Sequence, residues 1–399
     1  MASDHKELTR PLDAAALLEL LPVRPRVLAL GEPTHGEDTL LAVRNRLFRQ
    51  LVEDEGFRTI ALESDCLRAP AVDAYVTTGE GTLDRAMEHG FSHDWGAYAG
   101  NRDLVRWMRA HNEHRPPGEQ VRFAGFDGPL EITAASSPRR VLLDLHALLA
   151  AHVDPGLLPC TAGTLDRLLG DDGRWTDPDA MTDPGRTVGR SSEASELRLL
   201  TDELAALLDT QAPHLAAALP PDTWDRARLY ARTATGLLRY HHAMADPSPA
   251  RMTRLCALRD LMMAENLLAL AERGPVLVAA HNSHLQRPMS GMTMWQGRVE
   301  WWNAGALVDA RLGSGYAVVA TAVGTLRHRG VLAPPPGTVE GLLYGLTGEP
   351  GLVDVEGLIA ALGDPPPRVS PWFGYAPVDP AHLAALDGLV YVGDVVAPD

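Results

Sequence analysis

The chain has 399 residues, 45% hydrophobic and 22% charged, enough for one large domain with an insertion or for two domains. Its net charge of -16 speaks against nucleic-acid or anionic-membrane partners. Three widely spaced cysteines (Cys66, Cys160, Cys256) give neither a disulfide framework nor a thiolate zinc site, and no run approaches the ~20 apolar residues of a membrane span. The opening residues Met1 to Glu7 are polar and carry no leader signal, so the cytoplasm is the default location.

Residues 11–22 read as a short helix. The first apolar run, Val27-Leu28-Ala29-Leu30, is followed by Gly31-Glu32-Pro33-Thr34-His35. Residues 39–52 are apolar at helical spacing and end at Gly56, and a second run, Thr59-Ile60-Ala61-Leu62, ends on Glu63. This strand–helix–strand unit predicts two parallel strands side by side, with Glu32 and His35 close to Glu63. A helix over about 101–112 feeds a third run, Val121 to Phe126, ending on Asp127.

From about 129 to 273 long helical stretches dominate: 139–153, 193–208, 221–244 and 252–272. A Gly/Asp/Pro-rich, turn-rich and mobile stretch at 171–185 lies between the first two. A fourth apolar run, Val276 to Ala280, ends on His281-Asn282-Ser283-His284, and further strands are expected at 316–322 and 389–393. The reading is an α/β fold with a mostly parallel sheet flanked by helices and an inserted all-helical lobe forming a cleft. Its parts are 1–128 (core), 129–273 (lobe) and 274–399 (core).

Short, near-continuous apolar runs are the mark of parallel strands covered on both faces, and ligands of such sheets bind beyond the carboxyl ends of the strands. Two glutamates, an aspartate and histidines from both ends of the chain then converge on one crevice, which points to an enzyme acting on a small molecule. No Gly-x-Ser-x-Gly nucleophile elbow occurs, and Cys66 reads as ordinary packing.

The spacing of His281 and His284 is not that of a His-Glu-x-x-His zinc helix. The expected cofactor is none, with a metal at the His/Glu cluster left open. Imidazole is the natural general base near neutral pH, and a carboxylate fixes its tautomer. His35 fits the base, Glu63 or Glu32 its orienter, and Arg44 with His281 or His284 the electrophilic side. Position alone leaves Arg44 either in the crevice or on the surface. His93 and Trp95, between the second and third strands, fit substrate contact or loop packing, and Asp127 a supporting place beside the others.

Gly31-Glu32-x-x-His35, Arg44 nine residues on, Glu63, and His281-Asn282-x-His284 together resemble the erythromycin esterase family. So do Leu104 to Arg109 with Gly125-Phe126-Asp127, and Arg259-Asp260 with Met263-Ala264-Glu265-Asn266. The resemblance runs to about residue 325. It implies an α/β core with a helical lobe, and cleavage of macrolide lactones by histidine-activated water without metal. It also implies His35 as base, supported by Glu32, Arg44, Glu63, His281 and His284.

One position departs: family members carry a glutamate four residues after the base, and Thr39 stands here. Loss of that carboxylate alters the field at the base and leaves the substrate open. The main expectation is a hydrolase of an ester or lactone of a bulky natural product, in antibiotic resistance. The second is a biosynthetic enzyme using the same histidine for acyl transfer, elimination or cyclisation. A third is a haem-binding protein on a related sheet. Oligomeric state is not legible.

Overall fold

The structure is a computed structural model that describes residues 8–131, 134–294, 297–346 and 350–397; the polar N-terminal segment Met1 to Glu7 lies outside them. An eight-stranded sheet is built from β1 (Thr9–Pro11), β2 (Val27–Glu32), β3 (Thr59–Asp65), β4 (Arg122–Asp127), β5 (Val276–His281), β6 (Tyr316–Thr325), β7 (Gly351–Val353) and β8 (Gly388–Asp394). The spatial order is β1-β7-β8-β6-β2-β5-β3-β4. β8, β6, β2, β5 and β3 pair in parallel, while β1 and β7 run antiparallel at one edge. The sheet is therefore mixed and mostly parallel.

The expectation that β2 and β3 are neighbours is wrong. β5, more than two hundred residues later in the chain, lies between them, with Glu32 level with His281 and Leu62 level with Ala279. Hydrophobic periodicity marks a buried strand but carries no information about which strand it pairs with. β2 and β5 are buried along nearly their whole length, which is why both read as unbroken apolar runs. β1 and β7, three residues each, are too short to leave a pattern.

The helix α1 (Asp38–Glu53) follows β2 and buries Leu40, Leu41, Val43, Leu47, Phe48, Leu51 and Val52. Phe48, Leu51, Phe57, Ile60 and Leu62 join Leu104 and Met108 of α2 (Ala99–Asn112) in the main core. Gly100 lets the two helices meet, since a Cβ there would stand 2.5 Å from that of Leu41. A second core, with Leu343, Val353, Leu358 and Tyr391, covers the far part of the sheet.

Two compact units are present: Met1–Phe126 with Leu267–Gly291 and Trp302–Asp399, and Asp127–Asn266 with Met292–Trp301. The second is mostly helical, with helices at Arg139–His152, Ala162–Leu169, Ser192–Thr210 and Pro221–Met244. It also contains the two-stranded ribbon Leu130–Glu131 with Ala134–Ala135, so it is not purely helical. The stretch at 171–185 forms three single turns, each capped by an aspartate (Asp171, Asp177, Asp183). The buried Arg251 donates to the carbonyls of Ala180 and Met181 and ties that stretch down. Among the described residues, no helix is long and apolar enough to cross a membrane.

Gly125 on β4 would place a Cβ 2.5 Å from the Ser64 carbonyl and 2.7 Å from that of Asp65, backbone atoms that cannot swing aside. Gly125→Ala is expected to cost about 1–3 kcal/mol of unfolding free energy in a denaturant titration. A wild-type midpoint in that variant would show that β3 and β4 have slack the packing does not suggest.

Candidate active site

The carboxyl ends of β2, β5 and β3 supply Glu32, His281 and Glu63. The turn after β2 supplies His35, and the short helix Asn282–Leu285 after β5 supplies His284. Gly36, at φ 77°, closes the His35 turn against the ring of Tyr98. Gly31 is required because the Asn282 side chain crosses over it: a Cβ there would sit 2.2 Å from Asn282 Oδ1. Asn282 Nδ2 then donates to the Thr321 carbonyl at 3.0 Å, so one side chain passes over β2 from β5 to β6.

His35 Nδ1 lies 2.8 Å from Glu32 Oε1. A carboxylate accepts, so the proton of the neutral ring sits on Nδ1 and the lone pair on Nε2. That nitrogen faces Glu63 Oε2 at 3.8 Å, beyond hydrogen-bonding distance, and about a third of the side chain (34%) is open to solvent. Burial is the largest influence on the ring and disfavours its charge. Glu63 and Glu32 together outweigh burial, and the pKa is raised above its ordinary value.

Glu63 is nearly fully buried and organises the other two histidines. Its Oε2 accepts the backbone N–H of His281 at 2.8 Å, and its Oε1 is 3.4 Å from His284 Nε2. His281 Nδ1 accepts the Ser283 backbone N–H at 3.2 Å and lies 2.7 Å from the Ser283 hydroxyl. A backbone N–H can only donate, so the His281 proton is on Nε2. Burial, reinforced by His35, pushes the His281 pKa down to about 3. Two rings whose centroids are 5.4 Å apart are thus driven in opposite directions, one toward taking a proton and one away from it.

Arg44 is buried on α1. Its guanidinium donates to Asn45 Oδ1 at 2.8 and 3.1 Å and to Asn101 Oδ1 at 2.8 Å. Burial lowers its pKa to about 10, with Glu32 opposing, so it stays charged at neutral pH. Arg44 and Glu32 line one small cavity with Leu30, Gly31, Leu40, Val43, Ala279 and Thr321. Trp95 walls the base, its ring 5.0 Å from that of His35 and 6.2 Å from that of His93. His93 and Asp94 both have positive φ (55° and 58°), a strained pair in the loop that carries this wall.

Two candidate positions are engaged elsewhere. Asp127, fully buried, forms a two-pronged ion pair with Arg259, the shortest contact being 2.7 Å. The Thr39 hydroxyl accepts the backbone N–H of Val396 at 3.2 Å. The nearby Glu37 is fully buried and bonded to His328 Nε2 at 2.9 Å and Arg329 Nε at 3.4 Å. Sequence reasoning missed Asn45, Asn101, Tyr98 and Ser283. Only Ser283, inside the His281 to His284 run, had a signal nearby. Among the described residues, no group of three or more His, Cys, Asp or Glu side chains is arranged to hold a metal ion.

The opposed influences on His35 give a sign that can be checked. Glu32→Gln removes one of the two groups that raise its pKa and leaves burial in place, so the imidazole titration midpoint followed by NMR is expected to fall. The stability that protonated His35 contributes is present below about 6.5 and lost as pH rises through the raised folded value, so it also shrinks in this variant. An unmoved midpoint would mean that Glu32 does not control the base.

The erythromycin esterase family pattern matches residues 52–390, a span that includes Glu63, His281 and His284 and begins after Glu32, His35 and Arg44. Three solved structures share the fold. A Bacillus cereus protein is 19% identical with a TM-score of 0.71, covering 98% of this chain and 96% of its own. A succinoglycan biosynthesis protein is 14% identical with a TM-score of 0.70, covering 98% and 95%. A variant of the erythromycin esterase EreC in its open conformation is 18% identical with a TM-score of 0.66, covering 95% and 92%. The chain belongs to the erythromycin esterase family, a membership that supports an esterase-type hydrolase.

Proposed function

We propose that this protein hydrolyses the ester or lactone of a bulky natural product, a macrolide in the first instance, with His35 as the base that activates water. The observation that carries the reading is the 2.8 Å contact between His35 Nδ1 and Glu32, which holds the ring proton on Nδ1 and leaves the lone pair on Nε2 of a partly exposed side chain. Nε2 takes a proton from water as the oxygen attacks the acyl carbon. The imidazolium that forms is stabilised by Glu32 and Glu63. Arg44, charged and buried, supplies the positive side of the field on the developing oxyanion, and His284, held against Glu63, is a candidate ring donor to it. His281 stays neutral and does not compete for the proton. Protonated His35 then returns its proton to the leaving alkoxide.

His35→Ala is the direct test, with erythromycin as substrate and the gain of one water followed by mass spectrometry. The variant is expected to remain folded with at most a modest drop in unfolding temperature, since His35 is partly exposed and outside the apolar core. Its kcat/KM is expected to fall by roughly a hundredfold to ten-thousandfold. A variant that keeps near-wild-type turnover would remove His35 from the mechanism.

A further inference from the structure

A buried arginine ordinarily sits against a carboxylate, because an unpaired interior charge is costly. Arg44 does not: among the described residues no carboxylate lies within ion-pair distance, and its hydrogen bonds go to the amide oxygens of Asn45 and Asn101. An amide oxygen satisfies an N–H while leaving the full positive charge in place. The orientation of both amides is fixed by their other ends. Asn45 Nδ2 donates to the Gly100 carbonyl at 2.7 Å, and Asn101 Nδ2 donates to the Trp95 carbonyl at 3.0 Å. Carbonyls only accept, so each amide nitrogen must face backbone and each oxygen must face Arg44.

Asn101 is fully buried and joins two parts of the site in one bridge. One end holds the guanidinium, and the other holds the backbone of the residue whose ring stands against His35. We propose that Asn101, with Asn45, is a positioning residue that keeps Arg44 in the site as a cation with no directly bonded carboxylate and sets it relative to the Trp95 wall of the base. This rests on Arg44 acting on the developing oxyanion, as in the function proposed above.

The test compares Asn101→Asp, Asn101→Ala and Arg44→Ala. Erythromycin opening is used for kcat and KM, thermal unfolding for the fold, and NMR titration for His35. The groups that face His35 (Glu32, Glu63, His281 and His284) are the same in all three. Asn101→Asp gives Arg44 a counter-ion and is expected to fold at least as stably as Asn101→Ala. It should nevertheless lose roughly thirtyfold or more in kcat, with KM within about threefold of wild type. The added carboxylate should also raise the His35 midpoint by roughly half a unit or more, and Asn101→Ala should not. A mere joint between helices predicts the reverse order: Asn101→Ala the more damaged, and Asn101→Asp with wild-type kcat and an unmoved midpoint. Either of those two results for Asn101→Asp overturns the proposal. Wild-type turnover in Arg44→Ala would instead sink the functional reading on which it rests. If the wild-type protein does not open erythromycin, the His35 midpoints decide alone.

Discussion

The site depends on one pairing: β5 hydrogen-bonded between β2 and β3. That pairing sets His281 level with Glu32 and brings its backbone N–H onto the carboxylate of Glu63. Glu63 is thereby held between the main chain of one strand and the imidazoles of His35 and His284. A carboxylate this deeply buried persists only where such partners surround it. If β5 were displaced, Glu63 would lose its backbone donor and His281 its place beside His35.

Electrostatics then divides labour among groups of the same kind. His35 has a carboxylate on each side and gains proton affinity, while His281, buried and beside His35, loses it. A base and a neutral neighbour made from the same residue type need environments that push their pKa values apart. Arg44 contributes the fixed positive charge, held by amides and not by acids. Leu30, Leu40, Val43 and Ala279 line the small cavity it shares with Glu32 and Thr321, and such apolar walls exclude water and strengthen its field.

Much of this was legible in the chain, for identifiable reasons. Val27 to Leu30, Thr59 to Leu62 and Val276 to Ala280 read as strands because a doubly covered strand needs apolar residues at every position. The convergence of Glu32, His35, Glu63, His281 and His284 followed from the strand-end rule without knowledge of strand order. The order itself was hidden: β2 and β3, joined by one helix, look like neighbours, and nothing in 276–281 announces that it separates them. Arg44 was ambiguous because a helix face cannot be assigned from arginine alone. Asn101, 57 positions away, holds it in the interior. Asp127 ends a strand like the others, yet its charge is taken by Arg259, 132 residues later, a partner no local pattern reveals. Thr39 bonds to the backbone of Val396 near the far end of the chain, equally beyond the reach of spacing.

The central claim is that the lone pair on His35 Nε2 deprotonates water and not a group of the substrate. Turnover of erythromycin in oxygen-18 water, with the product analysed by mass spectrometry, addresses it most directly. Water attack predicts one labelled oxygen in the new carboxylate of every product molecule. A product formed at the enzymic rate without label, through elimination, cyclisation or transfer to another acceptor, would contradict the account.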